Sequence, residues 1–321
     1  MGRLHTRVYS QMPQVKLAGV YDANADAASE TAEQYDTRAF SDLGEFLSHV
    51  SAVTIATPTV THLEMARACL SRKIPCLIEK PLAKDSNEAG QIAELARASG
   101  TLVQVGHIER FNPVVRAIVD RHKMAPRFIE VTRISPLTFR SIDVGVVLDM
   151  MIHDIDIVLK LSASTVSRVD AIGVSIIGNV EDVCNARLEF ENGCVANLTA
   201  SRVALKTERK LRVFSPDAYV SLDYQKKYGI IARRSGNLDA IRSAVARIRT
   251  GEVEDLSDLN YQDLVNIEEL AIDDVEPLRA EQESFVGAVL EGHPPAVSAE
   301  DGLAAVAVAE QIVAAIKPQN L

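Results

Sequence analysis

At 321 residues the chain is long enough for two domains rather than one oversized core. Its formal charge of −10, from 34 basic against 44 acidic residues with no basic cluster, argues against nucleic acid as a partner, so an acidic ligand must be held by local lysines, arginines or helix ends. No apolar run approaches the roughly 20 residues of a membrane-spanning helix; the four cysteines (Cys69, Cys76, Cys184, Cys194) lack a Cys-x-x-Cys spacing, which excludes the usual zinc and redox motifs and suits a reducing cytoplasm.

Taken in order, residues 3–11 read as helix, 15–22 as a strand ending in an acid, and 24–34 as an Ala-rich helix. Residues 52–56 form a strand closed by Thr57-Pro58-Thr59, and 61–71 a helix with His62 near its start. The apolar run Cys76-Leu77-Ile78 ends in Glu79-Lys80-Pro81. Proline cannot donate to a ladder, so the strand stops there and leaves Glu79 and Lys80 at its carboxyl end, the edge where open α/β sheets bind ligands. A helix at 86–99, closed by Gly100, and a strand at 102–105 complete an alternation that indicates βαβ units and a parallel sheet.

A dinucleotide-binding domain opens with an apolar strand and Gly-x-Gly-x-x-Gly, whose glycines let the backbone approach a pyrophosphate at a helix N-terminus. Here Met1-Gly2 runs straight into a helix. Gly2 stands where the last glycine of that fingerprint falls, and Asp22 follows at about the 20-residue distance of the acid that binds the adenosine ribose. Alone, Asp22 reads as a turn aspartate; its register with Gly2 supports the ribose reading. The expectation is that the first strand and most of the Gly-rich loop lie upstream of Met1, as a start codon assigned too late would produce.

Ile55-Ala56-Thr57-Pro58-Thr59, His62 and Glu79-Lys80-Pro81 together resemble the Gfo/Idh/MocA oxidoreductases, and the resemblance runs through the whole chain from Gly2. It implies a Rossmann-type parallel sheet over 1–113 and, over 114–321, a substrate-binding and oligomerisation domain with an open, mainly antiparallel sheet covered by helices on one face. It implies a nicotinamide cofactor held by Gly2, Asp22, Thr57, Pro58, Thr59, His62, Glu79, Lys80 and Arg110. Asp22 without a following basic residue favours NAD over NADP. Arg110, within Val105-Gly106-His107-Ile108-Glu109-Arg110-Phe111-Asn112-Pro113, either holds a phosphate or carboxylate or sits in a structural ion pair.

Beyond Pro113 a helix through His122 precedes a strand at 128–134 and a polar stretch at 135–143 containing Arg140 and Ser141. Apolar spacing then predicts one buried helix from 146 to 161, with Asp149 and His153 four residues apart on one face. Such a pair is a structural hydrogen bond, part of a metal site recruiting Asp156, or a general base with an acid beside it. The family resemblance selects catalysis, with Lys80 across a cleft, and no metal. Asp154 and Asp156 are expected to cap or brace backbone. Residues 182–190 and 194–202 predict a hairpin around Glu191-Asn192-Gly193 with a bulge at the glycine; that register pairs Leu188 with Ala196 and Ala186 with Leu198, puts the apolar side chains on one face and separates Cys184 from Cys194. Further strands fall at 168–177, 208–214, 218–224, 228–233 and 266–272, a polar loop with a short helix at 236–260, and helices at 278–291 and 299–316.

The chemistry implied is oxidation of a sugar secondary alcohol: His153 takes the hydroxyl proton, Lys80 steadies the oxygen, Asp149 orients His153 or binds a neighbouring hydroxyl, and the Lys80 and His153 roles are exchangeable. Residues 105–113, 146–156 and 217–225 resemble the bacterial branch that oxidises C3 of UDP-N-acetylglucosamine for amination in lipid A synthesis. Arg133, Arg140 and Ser141 are then candidate sugar or diphosphate contacts. The rival readings are a dehydrogenase of a free sugar or polyol such as inositol, and a non-catalytic cofactor-binding paralogue. A homodimer or homotetramer is expected through the open sheet.

Overall fold

The computed structural model describes residues 1–119, 124–137, 143–234, 242, 246, 249–250 and 265–316. The chain divides into two compact units. One comprises Met1–Asn112, Val147–Ile157 and Val275–Ala314; the other comprises Pro113–Val146, Val158–Asp274 and Ala315–Leu321. The first segment ends at Asn112, and two later segments join the same unit.

In the first unit, α1 (Gly2–Ser10) leads to β1 (Val20–Tyr21), α2 (Ala25–Gln34), β2 (Ala39–Phe40), α3 (Leu43–Ser48), β3 (Val53–Ile55), α4 (His62–Leu70), β4 (Cys76–Glu79), α5 (Ser86–Ser99) and β5 (Val103–Gly106). All the pairings are parallel, in two ladders, β1 with β2 and β3-β4-β5. Among the described residues no strand joins β1 to β3. The strand expected over 15–22 is paired in a ladder only at Val20 and Tyr21, because Ala39 and Phe40 are its partners and offer two residues. Neither β2 nor α3 was expected; α3 starts at Asp42, whose carboxylate accepts the Glu45 N–H at 2.7 Å. An acid followed three residues later by Glu is a legible helix start.

β4 is the buried centre of its ladder, with Cys76, Leu77 and Ile78 fully covered, as a continuous apolar run demands. α5 is fixed at both ends: the Asp85 side chain accepts the Glu88 N–H at 2.7 Å, and Gly100 takes the left-handed conformation (φ 63°) that closes the helix. Asp85→Ala removes that cap and is expected to lower stability by about 1 kcal/mol, read from the denaturant midpoint at unchanged slope.

The second unit holds α6 (Pro113–Val119) and an eight-stranded sheet. Its strands are β6 (Phe128–Ile134), β7 (Val166–Val174), β8 (Val183–Phe190), β9 (Val195–Ser201), β10 (Glu208–Phe214), β11 (Ala218–Asp223), β12 (Tyr228–Arg234) and β13 (Val265–Glu269), in the order β13-β12-β11-β10-β6-β9-β8-β7. Every pairing is antiparallel except β6 with β9. The β8–β9 hairpin has the expected register, Ala186 opposite Leu198 and Leu188 opposite Ala196, with Gly193 at φ 80°. All four cysteines are free and buried. One face carries the core; on the other, Asn185 donates to Thr199 Oγ1 at 2.8 Å and Arg187 to Asn197 at 3.2 Å, and the neighbouring Ile172 is exposed. Most of the loop read at 236–260 lies outside the described residues. Among the described residues no helix is long and apolar enough to cross a membrane.

Candidate active site

The strand end at Glu79-Lys80-Pro81 is built by close backbone approach. Gly106 on β5 lies opposite Glu79, and a Cβ there would come within 3.1 Å of the Glu79 Cα, so glycine lets the two strands meet at this edge. β4 stops before Pro81, whose peptide bond to Lys80 is cis. Lys80 then leaves the sheet edge with its ammonium held: Nζ donates to the Asp149 backbone carbonyl at 2.6 Å and lies 3.4 Å from Asp149 Oδ1. Both side chains remain partly exposed.

Asp149 is not on a regular helix. Val147–Met151 form a π-helical turn, and α7 proper (Ile152–Ser162) begins after it. The expected uninterrupted helix from 146 is corrected on this point. A π turn bonds at i+5 rather than i+4, a local irregularity found mostly where a site needs it; within it the Asp149 carbonyl accepts from Lys80. His153 sits in the first turn of α7, half-buried. Lys80, Asp149 and His153 all belong to the first unit.

Arg110 occupies a 3-10 turn (Ile108–Phe111) and grips Asp156 with two parallel bonds, Nε to Oδ2 at 2.6 Å and Nη2 to Oδ1 at 2.7 Å. The pair is buried, with side-chain exposures of 7% and 1%, and Asp301 lies 3.8 Å from Arg110 Nη2. Arg110 thus sits in a buried ion pair, and Asp156 braces a side chain rather than backbone. His107, beside them, is fully buried. Burial pushes its pKa below the ordinary imidazole value; the attraction of Asp156 opposes this, and Arg110 and Lys80 add to the lowering.

The expected cofactor residues fall into two groups. Gly2 opens α1, and a Cβ there would meet nothing within 4 Å; Asp22 is exposed at the end of β1 and accepts the Asn24 N–H at 2.9 Å. Both positions are open to solvent, Gly2 with no side chain and Asp22 with an exposed carboxylate. Thr57 and Pro58 are exposed after β3, with Thr59 half-covered beside them. His62 is 1% exposed, and its ring spans two loops: Nδ1 lies 3.0 Å from the Pro81 carbonyl and Nε2 3.0 Å from that of Thr57. It ties the turn after β3 to the turn after β4. Glu79 Oε2 accepts the Lys80 N–H at 3.2 Å. Arg133 is buried on the core face of β6, alongside Ile129 and Val131. Arg140 and Ser141 lie outside the described residues.

Three residues at this edge were not singled out from the sequence. His5 on α1, with Glu281 and Gln282 on the helix Pro277–Glu291, surrounds Glu79. The available signals were slight: a histidine three residues after Gly2, and an acid flanked by Leu278 and Phe285 on an apolar helix face.

Comparison with known proteins gives two family matches. Residues 1–107 match the model described as oxidoreductase family, NAD-binding Rossmann fold, and residues 115–220 match the GFO/IDH/MocA C-terminal domain. The chain is 38% identical over 224 residues to the UDP-N-acetylglucosamine 3-dehydrogenase of Acidithiobacillus ferrooxidans, a stretch covering 70% of this chain and 71% of that protein. The solved structure of that dehydrogenase superposes with a TM-score of 0.86 at 32% identity, covering 98% of this chain and 94% of the other. The myo-inositol 2-dehydrogenase of Thermotoga maritima is 24% identical over 94% of this chain and 89% of its own. A levoglucosan dehydrogenase in complex with NADH and levoglucosan shares the fold at a TM-score of 0.80 and 20% identity, covering 98% and 94% of the two chains.

Proposed function

The chain belongs to the Gfo/Idh/MocA family of oxidoreductases, and from that premise we propose that it oxidises a secondary alcohol of a nucleotide sugar, C3 of UDP-N-acetylglucosamine, with NAD as acceptor. The observation that carries the reading is the Lys80 ammonium, fixed at the carboxyl edge of a parallel sheet by the Asp149 carbonyl. Similarity to the A. ferrooxidans dehydrogenase supports the substrate, and the exposed carboxylate of Asp22 supports NAD over NADP, because a 2′-phosphate would meet a negative charge there.

A nicotinamide cofactor, when bound, accepts the hydride from the alcohol carbon. His153 takes the hydroxyl proton, and the carbon is left as a ketone. Lys80 faces the oxygen on which negative charge builds and stabilises it. Asp149 holds the ammonium through its carbonyl and keeps its carboxylate close by, for His153 or for an adjacent sugar hydroxyl. His62 keeps the two cofactor-side turns in register. The chain assembles as a homodimer or homotetramer through the uncovered face of the eight-stranded sheet.

The test is NADH formation with UDP-N-acetylglucosamine, alongside free glucose, inositol and NADP. The expected result is absorbance growth with the nucleotide sugar and NAD, and a much slower rate with NADP. Turnover of free inositol or glucose, with none of the nucleotide sugar, would move the protein to the polyol branch. Cofactor binding without reduction by any sugar would make it a sensor.

A further inference from the structure

Three elements of the first unit bury a polar cluster behind the Lys80 turn. His5, Glu79 and Glu281 bring one donor atom each within 4.8 Å of one another. His5 is 2% exposed, and Glu281 and Gln282 are fully buried. His5 Nε2 lies 2.7 Å from Glu79 Oε1, while the Gln282 amide nitrogen lies 2.8 Å from His5 Nδ1 and donates to the His5 carbonyl at 3.2 Å. With Nδ1 accepting from that amide, the ring hydrogen sits on Nε2 and is donated to Glu79. Glu79 passes the restraint on, since its other oxygen accepts the Lys80 N–H. Among the described residues neither Glu281 carboxylate oxygen has a hydrogen-bond partner. Two buried carboxylates this close cannot both stay ionised without a cation between them.

We propose that Glu281 keeps a proton beside an ionised Glu79, so that Glu281, with His5 and Gln282, is a positioning residue for the strand end that carries Lys80. The groups facing Glu281 are Glu79 at the end of β4, His5 and the Tyr9 hydroxyl from α1, and Gln104 from β5, which donates to the Glu281 carbonyl at 3.0 Å. Tyr9 is bonded to Thr54 and pushed up by burial, so it supplies no proton near neutrality. Burial, then the charge of Glu79, hold the Glu281 carboxyl well above the usual range. Burial also pushes Glu79 up, but the His5 hydrogen bond, the charge of Lys80 and the Lys80 N–H outweigh it and leave Glu79 below its ordinary value. One carboxyl therefore keeps its proton where the other has lost it. The same three donors suit a divalent cation in kind, but a His5–Glu79 separation of 2.7 Å is a direct hydrogen bond, which a shared ion would have to part.

The positioning of Lys80 rests on its proposed catalytic role; the proton on Glu281 does not. Infrared difference spectra of the full chain at pH 7, wild type minus Glu281→Gln, are expected to show a protonated-carboxyl C=O band that the variant lacks. A raised pKa in the folded state means that stability is present at low pH and falls as pH rises from the ordinary Glu value near ~4.3 toward the folded one. Glu281→Gln keeps a donor and has no proton to lose, so its melting temperature relative to wild type is expected to climb between pH 5 and pH 8. Glu281→Ala is expected to lower kcat by on the order of 10- to 100-fold with little change in KM for the sugar, and Glu281→Gln to restore most of it. A missing band with a pH-independent difference in melting temperature overturns the protonated Glu281. Stabilisation by Zn2+ or Mn2+ that Glu281→Gln abolishes also overturns it, in favour of a cation. If wild type oxidises no sugar, the dehydrogenase reading falls while the band still decides the proton.

Discussion

Lys80→Ala is expected to lower kcat for sugar oxidation by about 10²- to 10⁴-fold. The ammonium's shorter contact with Asp149 is to the backbone carbonyl, with Oδ1 further off at 3.4 Å, so removing the Asp149 side chain does not imitate its loss. Its Nζ is about a fifth exposed together with its stem, and truncation removes one charge-assisted bond at a partly solvated site. The stability loss should therefore stay under ~3 kcal/mol, too small to unfold the unit and account for the fall in rate. Lys80→Arg is the sharper variant. It keeps the charge but replaces a compact ammonium by a planar fork, which cannot occupy a point 2.6 Å from a carbonyl and still face a substrate oxygen. A working lysine predicts a loss in Lys80→Arg nearly as large as in Lys80→Ala. A structural cation predicts substantial rescue. Near-native turnover in either variant, measured with folding checked by thermal melt, removes Lys80 from the chemistry.

The parts of this site that were legible in the sequence are those fixed by local chemistry. Cys76-Leu77-Ile78 is apolar without alternation and Pro81 ends it, so the strand and its charged exit follow from three kinds of residue. The β8–β9 register follows from Glu191-Asn192-Gly193, because only a bulged turn keeps Ala186, Leu188, Ala196 and Leu198 on one face. What escaped was set by distant partners. The strand expected at 15–22 is paired over two residues because its ladder depends on Ala39 and Phe40, which carry no strand signal of their own. The π turn at Val147–Met151 is invisible to periodicity, since its apolar residues continue the pattern of the helix that follows. Glu281 looks in sequence like any helical acid; its burial depends on His5 and Glu79, more than 200 positions earlier. The ion-pair partner of Arg110 lies 46 residues along the chain, on another element, out of reach of any local pattern.

That partner gives the largest expected effect on stability. Asp156→Ala leaves the Arg110 guanidinium buried, with two of its donors facing a void. Breaking one side of a buried ion pair typically costs about 3–5 kcal/mol, because the remaining charge keeps its desolvation penalty and loses its compensation. Asp301, 3.8 Å from Nη2 and 38% exposed, can take over part of the attraction, so the lower half of that range is expected here. The corresponding fall in melting temperature is on the order of 10 °C for a unit of this size. Replacing both partners by apolar side chains of similar volume, Arg110→Met with Asp156→Leu, removes the orphan charge and should recover most of the loss. The double variant also separates support from ligand binding. If the pair only braces the turn after β5, Arg110→Met/Asp156→Leu regains stability and KM for the cofactor together. If Arg110 also steadies a ligand anion, stability returns while KM stays high. A single Asp156→Ala variant that melts with wild type would mean that Asp301 alone neutralises Arg110, and the bidentate pair would then carry no net stability.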